Sequence, residues 1–203
     1  MMGSNMQPQY VIAAKVPPQI SGPRYDEMWP MAEHRFAAVL AADVVGYTRL
    51  MSIDEAGTHA RYKSRRRELI EPKIAELDAR VVKSTGDGVL VEFQNALDAV
   101  RCAIQVQQHM AERNRGEPDD HRIVFRIGLS YGRIIVEPDD IYGDEVNIAA
   151  RLQAVAPPGG IAMSAKVADL IPDTLRLQLE DLGLQQLRNM GRAVHTYVYR
   201  LPH

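Results

Sequence analysis

Residues 81–93, VVKSTGDGVLVEF, leave this chain few options. Valines lead into Thr85-Gly86-Asp87-Gly88, and Val89, Val91 and Phe93 alternate after it. That pattern reads as two short apolar strands joined by a tight turn, a hairpin of an antiparallel sheet. Two residues do not belong to a purely structural hairpin. Lys83 lies inside the first strand, and Asp87 stands four residues on, at the turn.

The rest of the chain supplies the sheet. Phe36–Ala42, FAAVLAA, is an apolar run ending at Asp43 and suits a central strand. Ser52 and Asp54 are candidate caps for helical segments running to about Ala79, with a break near Glu71-Pro72. Asn95 caps the amphipathic helix ALDAVRCAIQVQQHMAER, with apolar positions at Ala96, Val100, Ala103 and Ile104. Ile123–Tyr131 and Arg133–Val136 read as two strands. The loop DDIYGDE leads into the helix VNIAARLQAV, which Pro157-Pro158-Gly159-Gly160 stops. A strand at Ile161–Met163, a short helix at Ala165–Leu170 and strands near Leu175–Glu180 and His195–Arg200 complete the pattern. The order predicts an α+β fold of ferredoxin-like type, with helices on one face of the sheet.

Residues 1–34 contain five prolines and little periodicity. They read as an extended, partly disordered leader with a short strand at Tyr10–Ala14, ahead of one folded domain over 35–203. The composition is that of a soluble globular protein: 46% apolar, 25% charged, net charge −2. It argues against a general nucleic-acid binder and a membrane-surface protein. No apolar run reaches the ~18 residues of a membrane span, and the N-terminus lacks the layout of a signal peptide. The single cysteine, Cys102, lies among Ala99, Val100 and Ala103 as a small core residue, which fits a reducing cytosol. The expected location is cytoplasmic.

Two carboxylates stand where chemistry could use them. Asp43 ends the first strand and Asp87 marks the hairpin turn, so both could converge at one sheet edge. Two carboxylates held together need a cation or a proton between them. Mg²⁺ takes one or two carboxylates and leaves its other positions to water and phosphate. Gly46-Tyr47-Thr48 follows and could present backbone N–H groups to a phosphate. Each aspartate also has an ordinary reading, as a cap or as half of an Asp-Gly turn. Asn147 and Arg151, four apart, share one face of the later helix beside the apolar pair Ile148 and Leu152. An arginine there can stabilise charge on a transferring phosphoryl group; a surface ion pair is the plain alternative.

Together the strand end ADVVGYT, the hairpin KSTGDG and the segment DIYGDEVNIAARL, in this order, resemble the class III nucleotidyl cyclase catalytic domain over residues 35–200. The resemblance implies a head-to-tail homodimer with active sites at the interface. It places two divalent cations, Mg²⁺ or Mn²⁺, on Asp43, Val44 and Asp87. The purine-reading lysine falls on Lys83 and its partner acid on Asp140, with Asp139 as a neighbour that a one-residue slip would substitute. The ribose-orienting asparagine falls on Asn147 and the transition-state arginine on Arg151. The triphosphate would lie along Gly46, Tyr47 and Thr48. On this reading Lys83 and Asp87 serve different active sites of the dimer.

The implied substrate is ATP, and the implied reaction is in-line attack of the ribose 3′-hydroxyl on the α-phosphorus with loss of pyrophosphate. A guanylate cyclase would be expected to differ at Lys83 and Asp140. A non-catalytic nucleotide-binding domain would be expected to lack a metal aspartate or Arg151. One position departs from the pattern. Met190 falls where a basic residue for the terminal phosphates is expected, with Arg188 and Arg192 on either side. No sensor domain is visible, so control would come from a partner, the leader or an upstream connection.

Overall fold

A computed structural model describes residues 33–202. The first strand, β1 (Glu33–Val44), is longer than its apolar run and holds Asp43 as its penultimate residue. The predicted leader therefore lies outside the described residues except for Glu33 and His34, which belong to β1; the expected strand at Tyr10–Ala14 lies outside them entirely. Residues 37–42 are buried without interruption, which marks a strand covered on both faces.

After β1 come α1 (Tyr47–Ile53) and α2 (Glu55–Arg65). Asp54 caps α2 by accepting the Gly57 N–H at 2.8 Å, whereas Ser52 lies inside α1. The predicted break near Pro72 is a π-helical turn at Arg66–Ile70 running into α3 (Glu71–Glu76), with Pro72 in the first turn of α3, directly after the widened turn. The hairpin is β2 (Arg80–Thr85) and β3 (Gly88–Phe93). Helix α4 (Ala96–Arg113) is capped by Asn95 as expected.

Two strands were expected over 123–136, and one is found. β4 (Phe125–Val136) runs unbroken because Gly132 pairs with Ala37 inside the ladder instead of ending it. Then follow β5 (Ile141–Tyr142), α5 (Asp144–Val155), β6 (Ile161–Ser164), α6 (Ala165–Ala168), α7 (Asp173–Arg176), β7 (Leu179–Gln185) and β8 (Val194–Tyr199). The strand expected at Leu175–Glu180 is displaced. Pro172 opens the turn of α7 there, and β7 starts only at Leu179. The sheet has eight strands in the order β2-β3-β1-β4-β6-β8-β7, with β5 pairing to β4. Only β4 with β6 is parallel.

The expectation of helices on one face is wrong. Leu40, Val91, Phe93, Leu129 and Val100 of α4 pack in one core, on the face also covered by Leu50, Tyr62 and Ile74 of the early helices. Strand alternation sends Ala37, Val39 and Ala41 to the opposite face, against Ile134 and Ala149 of α5. Ile148 and Leu152 extend this second core to Ala162 and Val198.

Small residues seat α5 there. Ala41 pairs with Gly128 and Ala37 with Gly132, leaving a shallow floor. A Cβ at Gly128 would stand 2.1 Å from the Ala149 carbonyl oxygen and 2.2 Å from the Gln153 nitrogen, both backbone atoms that cannot swing away. Gly128→Ala should therefore lift α5 and lower stability by about 1–3 kcal/mol, read as a lower denaturant midpoint with an unchanged m-value. No described helix is long and apolar enough to cross a membrane.

Candidate active site

The antiparallel pairing of β1 with β3 sets Asp43 opposite Gly88, one residue from Asp87 at the turn. The two carboxylates thus lie at the same end of the sheet, Asp43 on β1 and Asp87 in the β2–β3 turn, both half-buried. Val44 has its side chain in the core, 2% exposed, so only its main-chain carbonyl could ligate a metal. Gly46 adopts a left-handed conformation, φ 63°, that turns the chain from β1 into Tyr47 and Thr48 at the start of α1. Tyr47 and Tyr62 meet edge to face at 5.9 Å. Burial, and then the charge of Asp87, hold the Tyr47 phenol above its usual range.

One neighbour was not legible in the sequence. The β1–β4 register puts Arg126 opposite Asp43. Its Nη2 donates to Asp43 Oδ2 at 3.1 Å and its Nε to Oδ1 at 3.3 Å. A third bond runs from Nη1 to the Ala154 carbonyl in the last turn of α5, at 3.4 Å. A cation thus already neutralises Asp43. Among the described residues no group of three or more His, Cys, Asp or Glu forms a metal cage. Two carboxylates and a main-chain carbonyl fit a hard cation that takes its remaining ligands from phosphate and water.

The second cluster is the Lys83–Asp140 pair. Lys83 Nζ donates to Asp140 Oδ2 at 2.6 Å. Asp140 Oδ1 also accepts the Ile141 N–H at 2.9 Å. Asp140, and not its exposed neighbour Asp139, meets the lysine. The bond to Lys83 holds the Asp140 carboxyl below the usual range, and the same bond holds the Lys83 ammonium above its usual range. The signs are opposite, so the pair's charged window widens at both ends. It is lost as acid protonates Asp140 below the ordinary carboxylate range, and as base deprotonates Lys83 above the ordinary lysine range.

The loop carrying Asp140 is tied to β2 by Arg80, which sequence reasoning missed. Arg80 Nη1 donates to the carbonyls of Glu137 and Pro138 at 3.1 and 3.0 Å. Its Nε bonds Glu92, 4% exposed, which also takes Arg35 at 2.6 Å. Arg80→Ala should free the loop without touching Lys83 or Asp140. If the chain turns over a nucleotide, as the resemblance implies, its KM should rise about tenfold with kcat little changed, checked by steady-state kinetics.

Asn147 and Arg151 project from α5 into a cavity of about 550 Å³, lined also by Asp144 and the 189–192 loop. Met190 and Arg192 belong to that lining, and Arg188 does not. Neither Asp43 nor Asp87 borders this cavity. Arg151 forms no ion pair among the described residues, so its charge is available. Cys102 is buried and its thiol is pushed up to about 12 by desolvation, as suits an inert core residue.

The mixed sheet with these two clusters defines a class III nucleotidyl cyclase fold, and solved structures agree. A crystal structure described as an adenylate/guanylate cyclase/hydrolase from Silicibacter pomeroyi superposes with a TM-score of 0.79 at 43% identity, over 84% of this chain and 99% of that one. An adenylyl cyclase from P. aeruginosa gives 0.70 at 23% identity, over 85% of this chain and 97% of that one, a likeness of fold alone. The chain belongs to the family described as the adenylate and guanylate cyclase catalytic domain, which matches residues 30–200. A Rhizobium meliloti relative named "Putative adenylate cyclase 3" is 46% identical over 165 residues. The match takes in 81% of this chain and 28% of that relative, so the chain spans little more than a quarter of its length.

Proposed function

We propose that this chain, as a head-to-tail homodimer, converts ATP to 3′,5′-cyclic AMP and pyrophosphate. The observation that carries the reading is the Lys83–Asp140 pair at 2.6 Å. Adenine offers N1 as an acceptor and its amino group as a donor. Lysine only donates and an ionised aspartate only accepts, so the two complement adenine. Guanine reverses the pattern and would leave both side chains facing groups of their own kind.

Asp43, Asp87 and the Val44 carbonyl would hold the two divalent cations, Mg²⁺ or Mn²⁺. When bound, these acidify the ribose 3′-hydroxyl and draw charge off the triphosphate. Arg126, which bonds Asp43 in the free chain, would have to give up that bond for Asp43 to hold a cation. The turn at Gly46 with the N–H groups of Tyr47 and Thr48 lines the triphosphate. Asn147 orients the ribose for in-line geometry. The 3′-oxygen bonds to the α-phosphorus as the bond to the bridging oxygen breaks, and Arg151 stabilises the charge on that phosphorus. Arg192, which lines the Asn147–Arg151 cavity where Arg188 does not, would take the terminal phosphates. ATP as substrate puts the reaction in the cytosol.

That the Asn147–Arg151 cavity lacks both metal carboxylates supports a site completed by a second copy. The test is cyclic AMP formation from ATP with Mn²⁺ or Mg²⁺ over a range of protein concentrations, with GTP in parallel. Activity on ATP should rise more steeply than protein concentration. Faster turnover of GTP would make the chain a guanylate cyclase. No product from either nucleotide, with nucleotide bound and dimers present, would leave a binding domain.

A further inference from the structure

Glu92 puts a charge where the alternation of β3 calls for an apolar side chain. Val89, Val91 and Phe93 enter the first core, and Leu90 packs on the second. Glu92 pairs with Val39 of that second core and with Arg80 of β2, and is 4% exposed. Its two oxygens are divided between two guanidiniums. Oε1 accepts from Arg35 Nε at 2.8 Å and lies 2.6 Å from Arg35 Nη2, near the start of β1. Oε2 accepts from Arg80 Nε at 3.0 Å. Asp78 lines the same groove, where it accepts from Gln94 Nε2 at 3.3 Å. A buried carboxylate between cations adds little stability over an apolar side chain of its size, so its use lies in what it orients.

What it orients is Arg80. Arg80 Nη1 donates to the carbonyls of Glu137 and Pro138 at 3.1 and 3.0 Å, while Nη2 is buried with no hydrogen-bond partner. An unpaired buried donor is unfavourable, and a guanidinium free to turn would bring Nη2 to water. The bond from Nε to Glu92 opposes that turn. The two carbonyls belong to the turn between β4 and β5, which the Glu137 N–H closes on the Asp140 carbonyl at 2.9 Å. Asp140 ends that turn and takes Lys83 at 2.6 Å. Direct bonds thus run from Glu92 through Arg80 and the turn to Asp140. We propose that Glu92 is a positioning residue, which holds Arg80 so that the turn sets Asp140 opposite Lys83. On the cyclase reading, and resting on it, Glu92 sharpens the choice of base without touching the base.

The test is amide hydrogen exchange of the full chain over residues 137–142, without nucleotide or metal, beside kcat/KM for ATP and for GTP. Glu92→Gln keeps the shape but sets an amide NH₂ against one guanidinium. It should speed exchange over 137–142 by about tenfold or more. It should also cut the preference for ATP over GTP about tenfold, through KM for ATP with kcat little changed. Arg35→Ala removes the partner of Oε1 alone and should change that exchange by less than about twofold. Because Glu92 acts through Arg80, Glu92→Gln with Arg80→Ala should exchange no faster than Arg80→Ala alone, whereas a general loss of stability would add. If Glu92→Gln fails to melt cooperatively, Glu92→Met, which buries no polar group, decides by the same readings. Unchanged exchange in the Glu92 variant overturns the role. So does faster exchange with an unchanged nucleotide preference, an additive double variant, or an Arg35→Ala chain as loose as Glu92→Gln. Exchange is read without nucleotide, so a wild-type chain that forms no cyclic nucleotide would remove the cyclase reading and leave the hold on the turn standing. Unchanged exchange in an active enzyme would remove the positioning role alone.

Discussion

Chains carrying Asp87→Ala and chains carrying Arg151→Ala, each inactive alone, should recover activity when mixed. On the proposed reading, Asp87→Ala removes a metal ligand from both sites of a homodimer, and Arg151→Ala removes from both the guanidinium that stabilises the transferring phosphorus. Each loss should cost roughly 10³-fold or more in kcat. In a heterodimer of the two variants, one site collects both defects and the other collects neither. Random assortment makes half the dimers mixed, with one working site of two, so an equimolar mixture should reach about a quarter of the wild-type rate. The measurement is cyclic AMP formation against mixing ratio, which should rise to a maximum at equal amounts. A flat line at the level of the single variants would mean that each chain builds its own site. The geometry favours exchange, because the cavity lined by Asn147 and Arg151 includes neither Asp43 nor Asp87.

On the same proposed reading, inverting the donor and acceptor of the Lys83–Asp140 pair should invert the choice of nucleotide. In Lys83→Glu with Asp140→Ser, position 83 accepts and position 140 can donate. That matches guanine, whose N1–H donates and whose O6 accepts. The wild-type pair should favour ATP over GTP in kcat/KM by about 10²-fold or more. The double variant should bring that ratio to about one or below, through loss on ATP and gain on GTP. Asp140→Ser alone should lower activity on ATP and raise none on GTP. Equal losses on both nucleotides in the double variant would show that Lys83 and Asp140 hold the loop and do not read the base. Arg80→Ala separates the two roles, since it loosens the loop through Glu137 and Pro138 while leaving both side chains intact.

Local chemistry carried much of this in the sequence. The hairpin at 81–93, the Asn95 cap and the helix carrying Asn147 and Arg151 rest on turn residues, a cap and period-3.6 spacing, which act within a few residues of one another. These were legible, and so was the common face of Asn147 and Arg151. Strand count over 123–136 was not, because whether Gly132 ends a strand depends on whether Ala37 lies beside it to accept the ladder.

The sequence by itself determined which side chains the proposed site draws on: two carboxylates after apolar strands, a lysine in a hairpin, an asparagine and an arginine one helical turn apart. Only the tertiary structure decided their company. Arg126 reaches Asp43 across 83 positions of sequence, and Lys83 reaches Asp140 across 57. It was the fold, too, that laid α5 on the second face of the sheet, over the floor of Ala37, Ala41, Gly128 and Gly132. Arg192, and not Arg188, reached the cavity for the same reason. Periodicity records which faces are apolar. Pairing and register depend on close packing between segments far apart in the chain, which no local pattern encodes.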